Sequence, residues 1–283
     1  MIASINVVIP RTKDAALATL AENAGKCTLL AGGTDLMVAL EDGRFTSKLV
    51  VDLSRLTELR FVRRESDELV IGALATYTDL LRSPHVAQMA PELVLCAREV
   101  GAAAIQNRGT LAGSVANASP AGDPLPVLLA RDAGIEVASV RGTRTILATQ
   151  FFVGYRRTAL APDEMITAIR IPAPKVGERF YWRKVGTRRA QSIAKMVLAL
   201  RATATNGTLQ AIAIGVGCAG PTPLRTPKTE ALVAGQRLDK MLIDEARRSL
   251  AAEVAPIDDL RSTAVYRRRV AGNVLATFLA SLT

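Results

Sequence analysis

Hydrophobic and polar positions along this chain alternate in short blocks whose period changes several times. In RTKDAALATLAENAGK, Ala16, Leu17 and Leu20 recur on one helical face, with Thr12 placed to cap the start and Gly25 to end it. CTLLAGG, from Cys27, then reads as a short buried strand running into two glycines. TDLMVALEDG reads as one or two helical turns started by Thr34, and KLVVDL as a second buried strand. LRFVRRESDELVIGAL predicts a hairpin turning at Ser66 and Asp67. Residues 78–104 are expected to be largely helical, interrupted at Pro84 and Pro91 because proline lacks the helical donor. A bare loop follows, QNRGTLAGSVANASPAGD (106–123), and Asp123-Pro124 suits a helix start. GIEVASVRGTRTILATQ reads as another hairpin, DEMITAIRIP as a strand and PAPKVGE (172–178) as a linker. In ALRATATNGTLQAIAIGVG, Asn206-Gly207 predicts a tight hairpin turn, where both central residues need positive φ. Two amphipathic helices, about 240–254 and 262–282, complete the pattern.

This order predicts an α+β protein. A first domain over 1–175, with subdomains of about 1–57 and 58–175, is expected to precede a small α+β domain over 178–283. Hydrophobic residues make up 49% of the 283 positions, enough for a sizeable core. No apolar run reaches the roughly 18–20 residues of a membrane span, and MIASINVVIPRTKD does not read as a secretory leader. A soluble, cytoplasmic protein is expected.

Cys27, Cys96 and Cys218 are far apart and form no CxxC pair, which fits reduced thiols better than a metal site or disulfide framework. His85, the one histidine, follows a proline and reads as a surface or helix-start residue. The net charge is +10, but Lys and Arg are dispersed and aromatics are only 4%, so an acidic partner or anionic cofactor explains the charge better than nucleic acid. The densest basic cluster, YRRRVAG at 266–272, falls on a predicted helix as a solvated face or subunit contact.

GVGCAG (215–220) matches G-x-G-x-x-G after a strand, but Pro221, Pro223 and Pro227 forbid the helix that a dinucleotide fingerprint requires. Two other loops could approach an anion. LLAGGTDL (29–36) ends a strand with Gly32-Gly33 and supplies Thr34 and Asp35, as either a concave amide nest or an ordinary strand–helix turn. In the second, Gly109, Thr110, Gly113, Ser114 and Asn117 offer amide, hydroxyl and carboxamide donors between low alanine walls. Asp123 suits a sugar hydroxyl better than a phosphate. Together the loops point to a ligand with a diphosphate and a sugar.

AGGTDL (31–36), IGALATYTDL (71–80), NRGTLAGSVANASPAGD (107–123), FYWRKVGTRRAQSIAK (180–195) and GCAGPTPLR (217–225) resemble the flavin-binding subunit of the molybdenum hydroxylases. That family spans xanthine dehydrogenases, aerobic carbon monoxide dehydrogenase and bacterial aldehyde and N-heterocycle hydroxylases. The resemblance covers essentially the whole chain. It implies a two-subdomain FAD-binding domain of the vanillyl-alcohol-oxidase/PCMH type, followed by a small α+β domain that helps cover the flavin. It places Leu30, Ala31, Gly32, Gly33, Thr34, Asp35 and Leu36 on one side of the FAD diphosphate, and Thr110, Ala112, Gly113, Ser114 and Asn117 on the other. Gly122 and Asp123 would meet the sugar-alcohol portion, Gly101 and Ile105 would lie near the isoalloxazine, and Ile166 and Lys184 would touch the flavin. Lys184 reads equally well as a surface lysine on a strand. Many relatives have Gly-Gly-Asn where this chain has Ala112-Gly113-Ser114, and alanine would strain a positive-φ backbone there. The cysteine-rich loop that carries a cubane cluster in some relatives is missing.

The resemblance implies noncovalent FAD and partner subunits: an iron–sulfur small subunit with [2Fe–2S] clusters and a large subunit with molybdopterin, as a dimer of heterotrimers. Electrons would pass through FAD to NAD, oxygen or a quinone, with no catalytic residue and no metal ligand supplied by this chain. A free-standing FAD-dependent oxidase and a basic nucleotide- or nucleic-acid-binding module are the alternatives.

Overall fold

Three short strands rich in β-branched residues begin the fold of the computed structural model, which describes residues 5–188 and 191–283. β1 (Asn6–Val8), α1 (Lys13–Glu22), β2 (Cys27–Leu30), α2 (Thr34–Glu41) and β3 (Leu49–Asp52) follow one another. β3 lies between β1 and β2 and pairs parallel with both, a pairing that needs the intervening crossovers. Thr12 caps α1 by accepting from the Ala15 amide at 3.2 Å. The predicted face, Ala16, Leu17 and Leu20, is buried against Val51, Leu53 and Leu56. One expectation changes here: β2 is half-buried along its whole length. Helix α2 starts at Thr34 as expected, capped by Gly33 at φ +77° with no side chain closing its end.

The second layer contains β4 (Val62–Glu65), β5 (Glu68–Gly72), α3 (Tyr77–Arg82), α4 (Pro84–Met89), α5 (Pro91–Glu99), α6 (Ala103–Gln106), α7 (Leu111–Asn117) and α8 (Leu125–Ala130). It continues through β6 (Gly134–Ser139), β7 (Gly142–Leu147), α9 (Ala148–Phe151), β8 (Phe152–Gly154), β9 (Arg157–Thr158) and β10 (Met165–Pro172). The first hairpin turns at Ser66–Asp67, between the paired Glu65 and Glu68. Pro84 and Pro91 each open a new helix, where a missing amide is harmless. β10, the last of these strands in sequence, fills the centre of the five-stranded order β4-β5-β10-β6-β7. It pairs antiparallel with β5 and β6, its buried Ile169 standing between Ile71 and Ile135 and its buried Ile171 opposite Leu69.

The bare segment 106–123 is not all loop, because α7 forms inside it. Thr110 accepts from the Gly113 amide at 2.9 Å as its N-cap. Alanines favour the helix, and Leu111 and Val115, one turn apart, are buried and anchor it. Ala112 therefore has helical geometry and none of the strain that positive φ would bring.

β11 (Glu178–Val185), β12 (Met196–Thr205), β13 (Thr208–Gly217), β14 (Leu224–Arg225), α10 (Pro227–Val233), α11 (Lys240–Glu253) and α12 (Ala264–Ala280) form the third layer. Its strands are antiparallel in sequential order, and Asn206 and Gly207 take the predicted positive φ at the β12–β13 turn. The period of two divides β12 between two cores. Met196, Leu198 and Leu200 face α11 and α12, whereas Val197 and Ala199 join the core that contains α8. At Gly215 of β13 a Cβ would lie 2.1 Å from the Pro126 carbonyl, so strand and α8 touch backbone to backbone. GVGCAG starts no helix, as expected, but only its second half turns: Gly215–Gly217 end β13, Cys218 has φ +61° and the next helix begins at Pro227. Among the described residues no helix is long and apolar enough to cross a membrane.

Arg131, at the end of α8, is 1% exposed and joins the layers. It donates to the Met89 and Pro172 carbonyls, lies 4.4 Å over the Phe180 ring and pairs with the buried Glu92 at 3.4 Å. Burial pushes the Glu92 carboxyl up, against the pull of Arg131. Removing one partner strands the other's charge. Arg131→Met should destabilise the fold by about 3–5 kcal/mol, whereas Glu92→Leu with Arg131→Met should recover most of that loss. Urea denaturation of the three proteins measures both.

Candidate functional site

The turn after β2 and the segment leading into α7, distant in sequence, are in direct contact. A Cβ on Gly32 would lie 1.9 Å from the Arg108 carbonyl oxygen and 3.0 Å from the Gly109 Cα. A Cβ on Gly109 would lie 3.4 Å from the Thr34 hydroxyl oxygen and 3.4 Å from the Tyr77 ring. Asn117 closes the far end by donating its Nδ2 to Asp35 Oδ1 at 2.8 Å. Gly32 thus has a reason within the protein itself: no side chain fits between it and the Arg108 carbonyl. Gly33 supplies the left-handed turn into α2, and Gly113 leaves room for the Thr110 hydroxyl, 2.8 Å from where its Cβ would stand.

Leu30 ends β2, and Ala31, Gly32 and Gly33 carry the chain to Thr34, Asp35 and Leu36 in the first turn of α2. The first amides of a helix have no partner inside it, and no side chain caps these. Thr110, Ala112, Gly113, Ser114 and Asn117 lie on the facing α7 and its cap. Two of them differ from expectation. Thr110 is 5% exposed and its oxygen is engaged in capping, and Ala112, also 5% exposed, is a core residue rather than an open wall. Ser114 shares a 2.6 Å hydrogen bond with the buried Tyr77 hydroxyl. Burial raises the Tyr77 phenol, and the nearby Cys96, Asp123 and Asp35 raise it further. Tyr77 accordingly stands between the Asp35 end of the seam and a second polar cluster.

That cluster is centred on Asp123. Gly122 forms a tight turn, its amide bonded to the Ser119 carbonyl at 2.9 Å, and delivers Asp123 to the interior. Lys184 is neither a surface lysine nor a free cation. Its side chain is 3% exposed, and Nζ donates to Asp123 Oδ2 at 2.6 Å and to the Glu99 carbonyl at 3.1 Å. Asp123 Oδ1 is buried without a partner. Burial pushes the Asp123 carboxyl up to about 6; Lys184 pulls it down without overcoming that cost. Gly101, at φ +55°, and Ile105, 39% exposed, follow Glu99 in the adjoining segment. Ile166 is different: its side chain is 6% exposed in the core of β10, under α7, and offers little surface to a ligand. Arg189 and Ala190 of the 180–195 motif lie outside the described residues.

Sequence reasoning missed Tyr77 and Arg156. Tyr77 lies within the IGALATYTDL stretch between two threonines, and nothing there marks its hydroxyl for a role. Arg156, at the β8–β9 turn, donates to Asn117 Oδ1 at 2.6 Å, and nothing in its local pattern marks it.

Residues 3–174 match the family model of the FAD binding domain in molybdopterin dehydrogenase. The chain belongs to that family. Residues 181–282 match a second model, the CO dehydrogenase flavoprotein C-terminal domain. The chain is 31% identical over 241 residues to the glyceraldehyde dehydrogenase medium chain of Sulfolobus acidocaldarius, covering 85% of each. It is 30% identical over 266 residues to the carbon monoxide dehydrogenase medium chain of Afipia carboxidovorans, covering 94% of this chain and 92% of the other. A solved structure of carbon monoxide dehydrogenase from Hydrogenophaga pseudoflava that lacks the Mo-pyranopterin moiety superposes with a TM-score of 0.95 at 28% identity, over 100% of this chain and 98% of that one. These family members are named as dehydrogenase chains, and an oxidoreductase subunit is the class to which this FAD-binding protein belongs.

Two outcomes follow from the site's geometry. Gly32→Ala should destabilise the protein by roughly 1–3 kcal/mol in urea denaturation, because its methyl group collides with a backbone carbonyl; full stability would mean that the seam is looser than described. Asp123 binds its proton more tightly when folded, so the stability it contributes is present below the ordinary carboxylate range and lost as pH rises through about 6. Relative to Asp123→Asn, the unliganded wild type should gain on the order of 2–3 kcal/mol as pH falls from 7 to 4. Parallel pH–stability curves would contradict that assignment.

Proposed function

We propose that the chain holds FAD noncovalently along the seam and serves as the flavin-carrying, electron-relaying subunit of a molybdenum hydroxylase complex. The observation that carries this reading is the uncapped start of α2 against α7, together with the buried, half-satisfied carboxylate of Asp123. A diphosphate suits the amides of Thr34, Asp35 and Leu36, whose partial positive charge favours an anion. A sugar-alcohol hydroxyl suits Asp123 Oδ1, an acceptor that otherwise stays desolvated without a partner. The residues present therefore fit the group.

FAD, when bound, supplies the reversible redox chemistry, and the protein supplies binding, orientation and electrostatics. Gly32 and Gly109 keep the two walls at backbone distance, and Tyr77 holds Ser114 in place. Lys184 brings a buried positive charge from β11, offset by Asp123 while that carboxylate is ionised. The reading extends to the domain division, 1–175 for flavin binding and 178–283 for its cover, with Gly101 and Ile105 near the flavin ring. It also extends to partners: an iron–sulfur small subunit with [2Fe–2S] clusters and a molybdopterin large subunit, in a cytoplasmic dimer of heterotrimers that passes electrons to NAD, oxygen or a quinone. Relatives named for glyceraldehyde and for carbon monoxide are both similar to this chain over most of their length, which supports leaving substrate choice to another subunit.

Mixing the purified chain with FAD and desalting should leave a yellow protein whose flavin is released by denaturation. Gly33→Val, which forces a β-branched residue into φ +77° at the mouth of the seam, should lose most of that flavin while keeping its far-ultraviolet circular dichroism. A variant with its full flavin complement would remove the seam from the account.

A further inference from the structure

Arg156 occupies the tip of the β8–β9 hairpin at φ +51°, a conformation that L-residues other than Asn and Asp rarely adopt. From there its Nη1 reaches Asn117 Oδ1 at 2.6 Å, and Asn117 Nδ2 reaches Asp35 Oδ1 at 2.8 Å. The amide orientation is forced, since its oxygen must face the guanidinium donor and its nitrogen the carboxylate. One chain of bonds therefore ties the hairpin to the last residue of α7 and the first turn of α2, across the end of the seam. Arg156 differs from Arg141, Arg144, Arg170 and Arg225, each of which meets a carboxylate directly. Among the described residues no carboxylate lies within 4.0 Å of Arg156, which donates instead to the neutral Asn117. The Asp35 carboxyl is raised by loss of solvent and lowered by Arg156 and Asn117, so the two charges do sense one another.

We infer that Arg156 is the cation of the seam: it is held by Asn117 beside the α2 start, neutralises Asp35 and attracts the diphosphate of the dinucleotide. This rests on the proposed FAD site and adds to it a residue from outside both glycine turns. Asp35 makes a cation necessary there, because a carboxylate beside the α2 start repels a doubly charged bridge. Without Arg156 that repulsion is uncompensated; without both charges it disappears.

The test is FAD titration of the full chain stripped of flavin, comparing wild type, Arg156→Gln, Arg156→Gly and the double variant Arg156→Gln with Asp35→Asn. Glycine takes φ +51° without strain, so Arg156→Gly keeps the hairpin folded while removing the charge. Both single variants should bind FAD at least about tenfold more weakly, the loss of one charge-assisted contact. Their affinity should also fall less steeply with salt than the wild type's, and Asp35→Asn should restore part of the loss in the Gln background. Unchanged affinity in Arg156→Gly, or a loss with wild-type salt dependence and no recovery on removing Asp35, overturns the proposal and leaves Arg156 a mechanical strap. Failure of the FAD site itself looks different: wild type then binds no better than Gly33→Val.

Discussion

Between Gly32 and the carbonyl of Arg108 there is no space for a single methyl group. That contact fixes where α2 begins relative to α7, and so where an uncapped helix end faces a short helix of small residues. The Asn117–Asp35 bond spans the same two segments, while the Tyr77–Ser114 bond and the Arg156–Asn117 bond tie α7 to α3 and to the β8–β9 hairpin. A comparable approach locks the third layer in place, where Gly215 meets the Pro126 carbonyl. With α8 pinned on one side, β11 can deliver Lys184 to Asp123 on the other.

Charge is used inside the fold more than it is displayed. Arg170 joins Glu65, Glu68 and Glu136, which push its guanidinium up. Arg225 ties Asp132 to Glu230, and Arg267, from the basic run on α12, is 3% exposed and bound to Asp259 and the Lys195 carbonyl. A net charge of +10 therefore says less about docking surfaces than a count of surface residues suggests. Where burial outweighs pairing, as at Asp123, the group retains its proton more readily, and the site gains an acceptor whose charge depends on pH.

Much of this was legible from pattern alone. The Ser66–Asp67 and Asn206–Gly207 turns, the proline-started helices and the face of α1 follow from local chemistry that tertiary structure did not override. The central place of β10 was not legible, since sheet order is set by contacts far apart in the chain. A run of alanine and glycine looked like loop because its low hydrophobicity hides the two buried anchors of α7, Leu111 and Val115. The site was partly legible in the same way. Glycine turns signal a close approach without saying whether a ligand or a neighbouring backbone makes it, and at Gly32 the neighbour is Arg108. Lys184 could not be placed from its strand, because its partner lies sixty-one positions away. Arg156 carried no signal until Asn117 was in view.

One seam, formed by the turn at 31–36 and the segment 109–117, is proposed to seat the diphosphate of FAD, and a crystal structure of the chain saturated with FAD decides the matter. Phosphate oxygens should lie within hydrogen-bonding distance of backbone amides at the α2 start and of groups on the facing α7 segment. Phosphates bound elsewhere, or gripped by one of these segments while the other stands clear, would rule the seam out.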